Sequence, residues 1–585
     1  MPEFSSAFLQ EHTAGAWHGT TGGATGANLD AAVNGFSIDT RTLRRGECFV
    51  ALKTEKRDGH DFLADALAAG AAAALVEHPV AGVALPQLVV ADTAAALRQL
   101  AAAHRDTLRC PVIGITGSAG KTSTKDLLAR MLGKPDTGTG GGNVLATVGN
   151  LNNTLGVPLT LLRADPKRHR RGVVVECGMS ERGEMDVIGT VLRPTIALIT
   201  NVLPAHLAGV GSLADIAREK AALARHVMSA AGVAIFPAEL LEHDCFARLK
   251  CLKLAVMFND AGAPPVFGTD GNLKFWRGHY EAAPKGWLLK IFAGSKPAGS
   301  AADSQPGLFP LLNTHSEGMA RNAILAIAAA TLADSDYFDI ATATASWKPS
   351  AGRGEWRTTG GRRYYADCYN ANPCSVLDAA GNFDRQTQGG AARQGERGAE
   401  SGEQGDNAGE EGKRAKGEGI RDKGKGQRAE SGATPQETTL IPSPLSLIPS
   451  AALPPRSPLP APRSLGSEAT NPRIFVLGGM NELGEQSAAL HERVGRELPL
   501  RAGDILILHG GDAPRIADGV LAAGSAANRA TGSATDGGFP KENIIVADTL
   551  DAVRAAIDDA PAGAPVFLKA SRSFALERLL DPPEA

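Results

Sequence analysis

The apolar run Pro111-Val112-Ile113 leads straight into "GITGSAGKTSTKDLL", Gly114 to Leu128. A short buried strand, a glycine-bearing turn and a helix, in that order, commit this stretch to a strand–loop–helix unit of an α/β sheet. The standard phosphate loop G-x-x-x-x-G-K-[ST] is not met, because its first glycine would fall on Ile115. The spacing present is G-x-x-G-K-T: Gly117, Ser118, Ala119, Gly120, Lys121 and Thr122. The physical demands of a phosphate site are still satisfied. Glycines let the backbone approach the anion, and Lys121 can reach the β and γ oxygens. Thr122 can coordinate Mg2+, and the following helix aims its positive end at the phosphates. A glycine turn alone has a structural explanation. With Lys-Thr at its end and a buried strand before it, nucleotide binding is the expectation.

The rest of the chain repeats the same grammar. "CFVAL", "PVIGIT", "GVVVEC" and "TIALITNV" are short apolar runs that read as strands, and helical patterns lie between them. One of those helices covers 92–108, with Asp92 as its cap. After Trp347 the pattern restarts with "RRYYADCY", "RIFVLGG", "DILILHGG", "NIIVAD" and "APVFLKAS". Alternation of this kind predicts mostly parallel sheets with helices on both faces. With 585 residues the chain is too long for one core. The expected domains are 1–109, 110–347 and 348–585.

One segment breaks the pattern. From Gly389 to Pro472 there is no aromatic residue, cysteine or histidine; Gly with both charges comes first, then a Pro-rich part. Such a segment cannot bury enough apolar surface to offset its ordering entropy. It reads as a disordered, low-complexity insertion, 389–472, inside the last domain, between the helix "PCSVLDAAGNF" and the strand "RIFVLGG". A net charge of −3 gives no bulk attraction to nucleic acid or anionic membrane. Seven scattered cysteines without metal-ligand spacing read as reduced, mostly buried thiols. The N-terminus lacks a signal-peptide pattern, and no apolar run approaches the roughly 18 residues of a membrane span. A cytoplasmic enzyme without integral membrane contact is expected.

Further polar residues sit where the apolar strands end. "GVVVE" ends in Glu176, "TIALITNV" leads to His206, and the next helix, "SLADIAREKAAL", carries Lys220. Ligands of open α/β sheets bind beyond the carboxyl ends of the strands. Singly, Glu176 reads as a helix cap and His206 as a turn residue. In order, on successive strand ends, Thr122, Glu176 and His206 point to metal-bound nucleotide.

Those blocks, with "GNLNNTLGVPLTLL", "ECGMSERGEMDVI" and "EGMARNAILAIAAA", resemble the Mur ligase family, the ATP-dependent amide-forming enzymes of peptidoglycan precursor synthesis. "SIDTRTLRRGECFVALKTEKRDGHDF", "ADCYNANPCSV", "VLGGMNELGEQSAALH" and "LKASRS" resemble its member that adds D-alanyl-D-alanine to UDP-N-acetylmuramoyl-tripeptide. The resemblance implies three domains: a small α/β domain for the UDP-sugar-peptide, a central P-loop-type ATPase, and a Rossmann-like C-terminal domain. It implies that Ser37, Asp39, Thr40 and Arg41 bind the UDP moiety, and that Asn150, Asn152 and Asn153 meet the same substrate. It implies ATP contacts from Asn322, Arg353 and Asp367, besides residues 117–122. Tyr369, Asn370 and Asn372 would shape the acceptor dipeptide's pocket, with Lys569, Ser571 and Arg572 facing the reaction centre. Lys121, Glu176, His206 and Lys220 would be catalytic. Two Mg2+ ions would be held by Thr122, Glu176, His206 and a carbamylated Lys220, whose carbamate oxygens suit a hard cation. A monomer is implied.

There are departures. Where the family's motif leads to the expectation of an acid, this chain has Gly479, although Glu482 follows. "TNPR", 470–473, superficially resembles a sibling's specificity motif but lies at the mouth of the insertion, and reads as chance. The alternatives are a sibling adding a single amino acid, a folylpolyglutamate synthase-type ligase, or a ligase fold serving as a nucleotide-binding scaffold.

Overall fold

The computed structural model describes residues 2–18, 32–136, 141–228, 232–259, 271–293, 310–388, 472–531 and 539–581. Met1–Arg385 and Pro462–Ala585 form one compact unit that holds three sheets. Gln386–Ala461 form a second, of which only the last residues of the helix Pro373–Gln388 are described. The insertion read at 389–472 lies outside the described residues except for Pro472.

The first sheet has five short strands in the order Ala16–His18, Gln87–Val89, Ala73–Val76, Cys48–Val50, Phe36–Ser37. Its helix Thr93–Arg105 starts where Asp92 accepts a hydrogen bond from Ala95 N–H. The far end of that helix docks on the central sheet's layer. Arg105 donates to the carbonyls of Leu192 and Arg193, the end of the helix Glu184–Leu192, and His104 engages Ala164 O. Helix-end carbonyls that lack intrahelical partners are satisfied in this way.

The central sheet has ten strands, and Val112–Thr116 lies between Ile196–Ile199 and Gly172–Glu176, parallel to both. All three are buried along their length, as strands covered on both faces must be. Ile115 pairs with Glu176 and Thr116 with Ile199, so the three strands end side by side. One edge departs from the parallel pattern: Gly286–Ala293 runs antiparallel to both its neighbours, Leu273–Ala283 and Leu311–Leu312. An antiparallel edge on a parallel sheet is common, and the Pro284-Lys285-Gly286 turn between two long apolar-rich runs is its sequence signal.

The third sheet runs Glu355–Thr359, Arg362–Asp367, Val566–Lys569, Ile474–Gly478, Ile505–His509, Ile544–Ala547, parallel except for its first pair. Tyr365, Phe383, Phe475 and Phe567 pack ring against ring beneath the helix Pro373–Gln388. Arg473 is buried here. It donates to both carboxylate oxygens of Asp504, to Asp384 and to Pro499 O. The arginine of "TNPR" therefore has a structural task, joining residues on either side of the insertion. The third sheet's layer also grips the central one. Asp378 accepts from Ser316 Oγ and Gly318 N at the start of the helix Glu317–Leu332, and Ser350 Oγ donates to Asp126. Among the described residues no helix is long and apolar enough to cross a membrane. The seven cysteines are free, and burial pushes the Cys48 and Cys368 thiols up to about 12.

Candidate active site

The turn after Val112–Thr116 is shaped by what crowds it. A Cβ on Gly117 (φ 154°) would lie 1.9 Å from Thr200 Oγ1, and one on Gly120 (φ 78°) 2.0 Å from Asn322 Nδ2. Only glycine meets both the dihedral and the space. Thr200 and Asn201, which sequence reasoning missed, hold the turn. Asn201 Oδ1 accepts from Ala119 N, and Thr200 Oγ1 and Asn201 Nδ2 donate to Ala119 O. Ser118 Oγ donates to Leu203 O and accepts from Leu203 N. Their signal was there: a polar pair closing an apolar strand at the carboxyl edge of a parallel sheet.

The helix Lys121–Leu132 opens on this turn with no side-chain cap. Its first N–H groups and its dipole favour an anion. Lys121 Nζ donates to Gly117 O at 2.7 Å. Burial pulls its pKa below the usual lysine range, Glu176 opposes that, and Arg353 of the third sheet's layer adds to it. Thr122 Oγ1 donates to Glu176 Oε2 at 2.8 Å, and Asn152 Nδ2 to Glu176 Oε1 at 3.0 Å. Glu176 N–H is itself held by Thr147 Oγ1. The buried carboxylate thus meets a hydroxyl and an amide.

These oxygen donors suit a hard cation. Among the described residues no three His, Cys, Asp or Glu side chains form a complete metal cage. Mg2+ characteristically takes one or two carboxylates and completes its shell with phosphate and water, so Thr122 with Glu176 fits it. Lys220, on the helix Leu213–Arg225, is fully buried; burial, then the Lys121 ammonium, push its amine well below the ordinary value. Such lowering favours the uncharged amine, whose lone pair a carbamate requires. His206 has a left-handed backbone (φ 58°), and its Nδ1 meets the carboxylate of Glu482 from the third sheet's layer.

The third sheet contributes a cluster of cations. Arg353 stacks on the Tyr369 ring at 3.9 Å and Arg572 lies 5.3 Å from the same ring. Asp367 and Lys569 are paired across neighbouring strands, and Lys569 Nζ reaches Asp367 Oδ1 at 3.0 Å and Asn370 O at 2.8 Å. Asn372 Oδ1 caps the helix Pro373–Gln388 by accepting from Ser375 N, Asn370 Oδ1 accepts from Ala371 N, and Ser571 Oγ accepts from Asn481 N. Asn322 stands against the phosphate turn, as described. Two of the sequence-read groups form bonds close to home. Asn153 Oδ1 accepts from Leu155 and Gly156 N–H, and Asn150 O from Asn152 N. In the first sheet, Ser37 Oγ donates to Asp39 O and Asp39 grips Arg41 through two oxygens. That guanidinium holds the Asp39 carboxyl at about 2. Thr40 lies within the same turn.

A lysine-bearing glycine turn on a parallel sheet, a buried carboxylate beside its threonine, and cations from the third sheet's layer together make a candidate anion-binding site. A model of the Mur ligase middle domain matches residues 115–263, and one described as Mur ligase family, catalytic domain, matches 32–105. Those two stretches of the chain are similar to the Mur ligase family. It is 44% identical over 191 residues to the UDP-N-acetylmuramoyl-tripeptide--D-alanyl-D-alanine ligase of Escherichia coli, covering 33% of this chain and 40% of that one. To the enzyme of the same description from Bacillus subtilis it is 41% identical over 192 residues, covering 32% and 40%. The matched segments therefore span about two fifths of these relatives. The fold is that of MurF from Acinetobacter baumannii (TM-score 0.67, 23% identity, 99% of this chain and 98% of that one). MurF ligase from Thermotoga maritima, solved with ADP, shares it as well (TM-score 0.60, 20% identity, 93% and 96%).

Proposed function

We propose that the protein is an ATP-dependent, ADP-forming ligase that joins D-alanyl-D-alanine to UDP-N-acetylmuramoyl-tripeptide, making a pentapeptide precursor of peptidoglycan in the cytoplasm as a monomer. The observation that carries the chemistry is the composite phosphate site. Lys121 and Thr122 open the helix that follows the turn, Thr122 donates to Glu176 on the neighbouring strand, and Arg353 comes from the third sheet's layer. The substrates are proposed from the relatives' printed activities. Of the three layers, the first would hold the UDP-sugar-peptide through Ser37, Asp39, Thr40 and Arg41, with Asn150, Asn152 and Asn153 at its peptide end. The central layer would hold ATP, and the third the acceptor dipeptide.

A carboxylate is a poor electrophile with a worse leaving group. Transfer of the γ-phosphoryl of ATP to an oxygen of the tripeptide's terminal carboxylate releases ADP and gives an acyl phosphate. The amine of D-alanyl-D-alanine then attacks the acyl carbon; the carbon–oxygen bond to phosphate breaks, the amide forms and the amine loses a proton. Catalysis is positioning and charge neutralisation. Residues 117–122 cradle the phosphates, Lys121 and Arg353 neutralise the transferring group, and Asn322 and Asp367 flank the nucleoside. Thr122 and Glu176 would hold one Mg2+, and His206 with carbamylated Lys220 a second. When bound, these ions neutralise charge on the phosphates and the acyl phosphate. Tyr369, Asn370, Asn372, Lys569, Ser571 and Arg572 would seat the dipeptide. Phosphate release from ATP that requires both the UDP-tripeptide and D-alanyl-D-alanine, with product carrying both, is the expected assay result. Release with a single amino acid or a folate instead would transfer the assignment to those relatives.

A further inference from the structure

Beyond the strand Ile474–Gly478 runs Gly479-Met480-Asn481-Glu482-Leu483-Gly484. The missing acid at 479 has a steric reason. A Cβ there would lie 2.7 Å from the Phe574 ring, and one on Gly510 would lie 2.6 Å from the same ring. Phe574 fills the space beside this loop, which is nevertheless pinned on several sides. Asn481 N donates to Ser571 Oγ at 2.9 Å, Asn481 Nδ2 to Ser573 Oγ at 2.7 Å, Ser571 N to Gly479 O at 3.1 Å, and Met480 N to His491 Nε2 at 3.0 Å. Met480 and Leu483 are buried, and Glu482 projects from between them.

What Glu482 meets is His206, on the central sheet's loop. Both residues have left-handed backbones, φ 63° and φ 58°. The carboxylate lies in ion-pair contact with Nδ1, a buried nitrogen that makes no aligned hydrogen bond, and Ala208 N–H donates to Glu482 O at 3.2 Å. A Cβ on Gly484 would touch Ala208 at 3.6 Å. Left-handed backbone at a non-glycine residue is unfavourable and persists where its surroundings over-determine it, typically at functional sites. Here two such residues, from two different sheets, face each other. An incidental surface ion pair would need neither the strain nor the paired backbone.

We infer that Glu482 is a positioning residue for His206: its carboxylate takes up Nδ1–H and so fixes the tautomer that leaves Nε2 to a ligand, and it does this only while the third layer is seated on the central one. This rests on the proposed reading of His206 as a metal-facing residue. Carboxylates that orient a ligating histidine through its other ring nitrogen act in this way at metal sites. Phosphoryl transfer would then be coupled to seating of the layer that brings Arg353 and the acceptor pocket.

The test uses the full chain, with Glu482→Ala, Glu482→Asp as the conservative variant, and the exposed neighbour Glu485→Ala as control. In metal-free protein, 15N NMR of the imidazole should report Nδ1–H at His206 in the native chain and a mixture of tautomers in Glu482→Ala. With a non-hydrolysable ATP analogue, the Mn2+ dissociation constant read by electron paramagnetic resonance should rise about 10–100-fold in Glu482→Ala. Glu482→Asp should recover most of that, and Glu485→Ala should match the native protein. An unchanged tautomer together with unchanged Mn2+ affinity, even if melting temperature falls, would overturn the inference and leave a structural ion pair. If the native chain with nucleotide binds no Mn2+, the metal reading itself fails, and the inference with it.

Discussion

Two turns of this molecule are read as grips for phosphate, and they are built in opposite ways. The loop Gly117–Lys121 is braced by Thr200, Asn201 and Leu203, 81 to 85 positions away in sequence. The turn Ser37–Arg41 is braced by itself, through bonds that span two positions. The first is buried scaffolding, fixed by the sheet. The second ends in Arg41, whose side chain is 83% exposed and is held by a carboxylate that a phosphate can replace. Donors fixed in advance act most on the transition state; a side chain recruited by the substrate acts on binding. Changes in the loop should therefore appear in turnover, and changes in the turn in substrate affinity.

The largest expected effect breaks the loop. Lys121→Ala should lower ligation by about a thousandfold or more, since it removes a preorganised cation from the transferring phosphoryl group. Binding of the UDP-tripeptide, measured by calorimetry, should survive. Loss of both would mean that the two turns are not independent, and the comparison would fail.

A second change calibrates the turn against a pair of the same chemistry in a different setting. Arg473 joins Asp504 and Asp384 with almost no exposure. Arg473→Ala removes the cation from buried Asp504, while Asp384 keeps Arg501, and should cost about 3–5 kcal/mol by denaturant unfolding. Arg41→Ala, at an exposed pair, should move the melting temperature by no more than about 2 °C. Equal effects would show that burial is not what separates the two regions.

The loop and its strand were legible in the sequence because each physical demand is local: an apolar run, glycines, Lys-Thr, a helix. Glu176 could be read from its place at a strand end, whereas Lys220 could be located but took its meaning only from the resemblance. That Thr122 touches Glu176 and that Lys220 lies fully buried depend on strands and helices brought together from afar. Thr200 and Asn201 were passed over because a polar pair ending a strand is ordinary until the sheet puts it beside the turn. The task of Arg473 was invisible for the same reason: Asp384 and Asp504 lie on either side of a long insertion and meet it only in space. The pairing of Asp367 with Lys569 is likewise a consequence of strand register. The Ser37–Arg41 turn is the reverse case. Its geometry is local, yet nothing local distinguishes a phosphate grip from a capped turn, and only resemblance to a family gave it a role.

The kinetic test sharpens the turn itself. If Arg41 passes from Asp39 to a substrate phosphate, Arg41→Ala should raise the KM for the UDP-tripeptide about tenfold while kcat stays within about twofold, in line with a lost charge-assisted hydrogen bond. A fall in kcat at constant KM would place Arg41 among the transition-state contacts and erase the difference between the turns.

The smallest effect is a pH dependence, and its sign is fixed by the pair. The Arg41 hydrogen bonds hold Asp39 at about 2, below its ordinary 3.8. A carboxyl that is more acidic in the folded chain stabilises it fully above the ordinary value, and that contribution is lost as pH falls through the folded one. The melting-temperature gap between native protein and Arg41→Ala should be widest at neutral pH and should narrow from about pH 4 toward pH 2. Asp215, also held at about 2 by Ser212 and its neighbours, titrates in the same window, but it is present in both proteins and cancels in the difference. The contribution stays small because solvent screens so exposed a pair. A gap that widened on acidification would mean that Asp39 is not the group Arg41 holds, and the exchange of partners proposed for this turn would lose its basis.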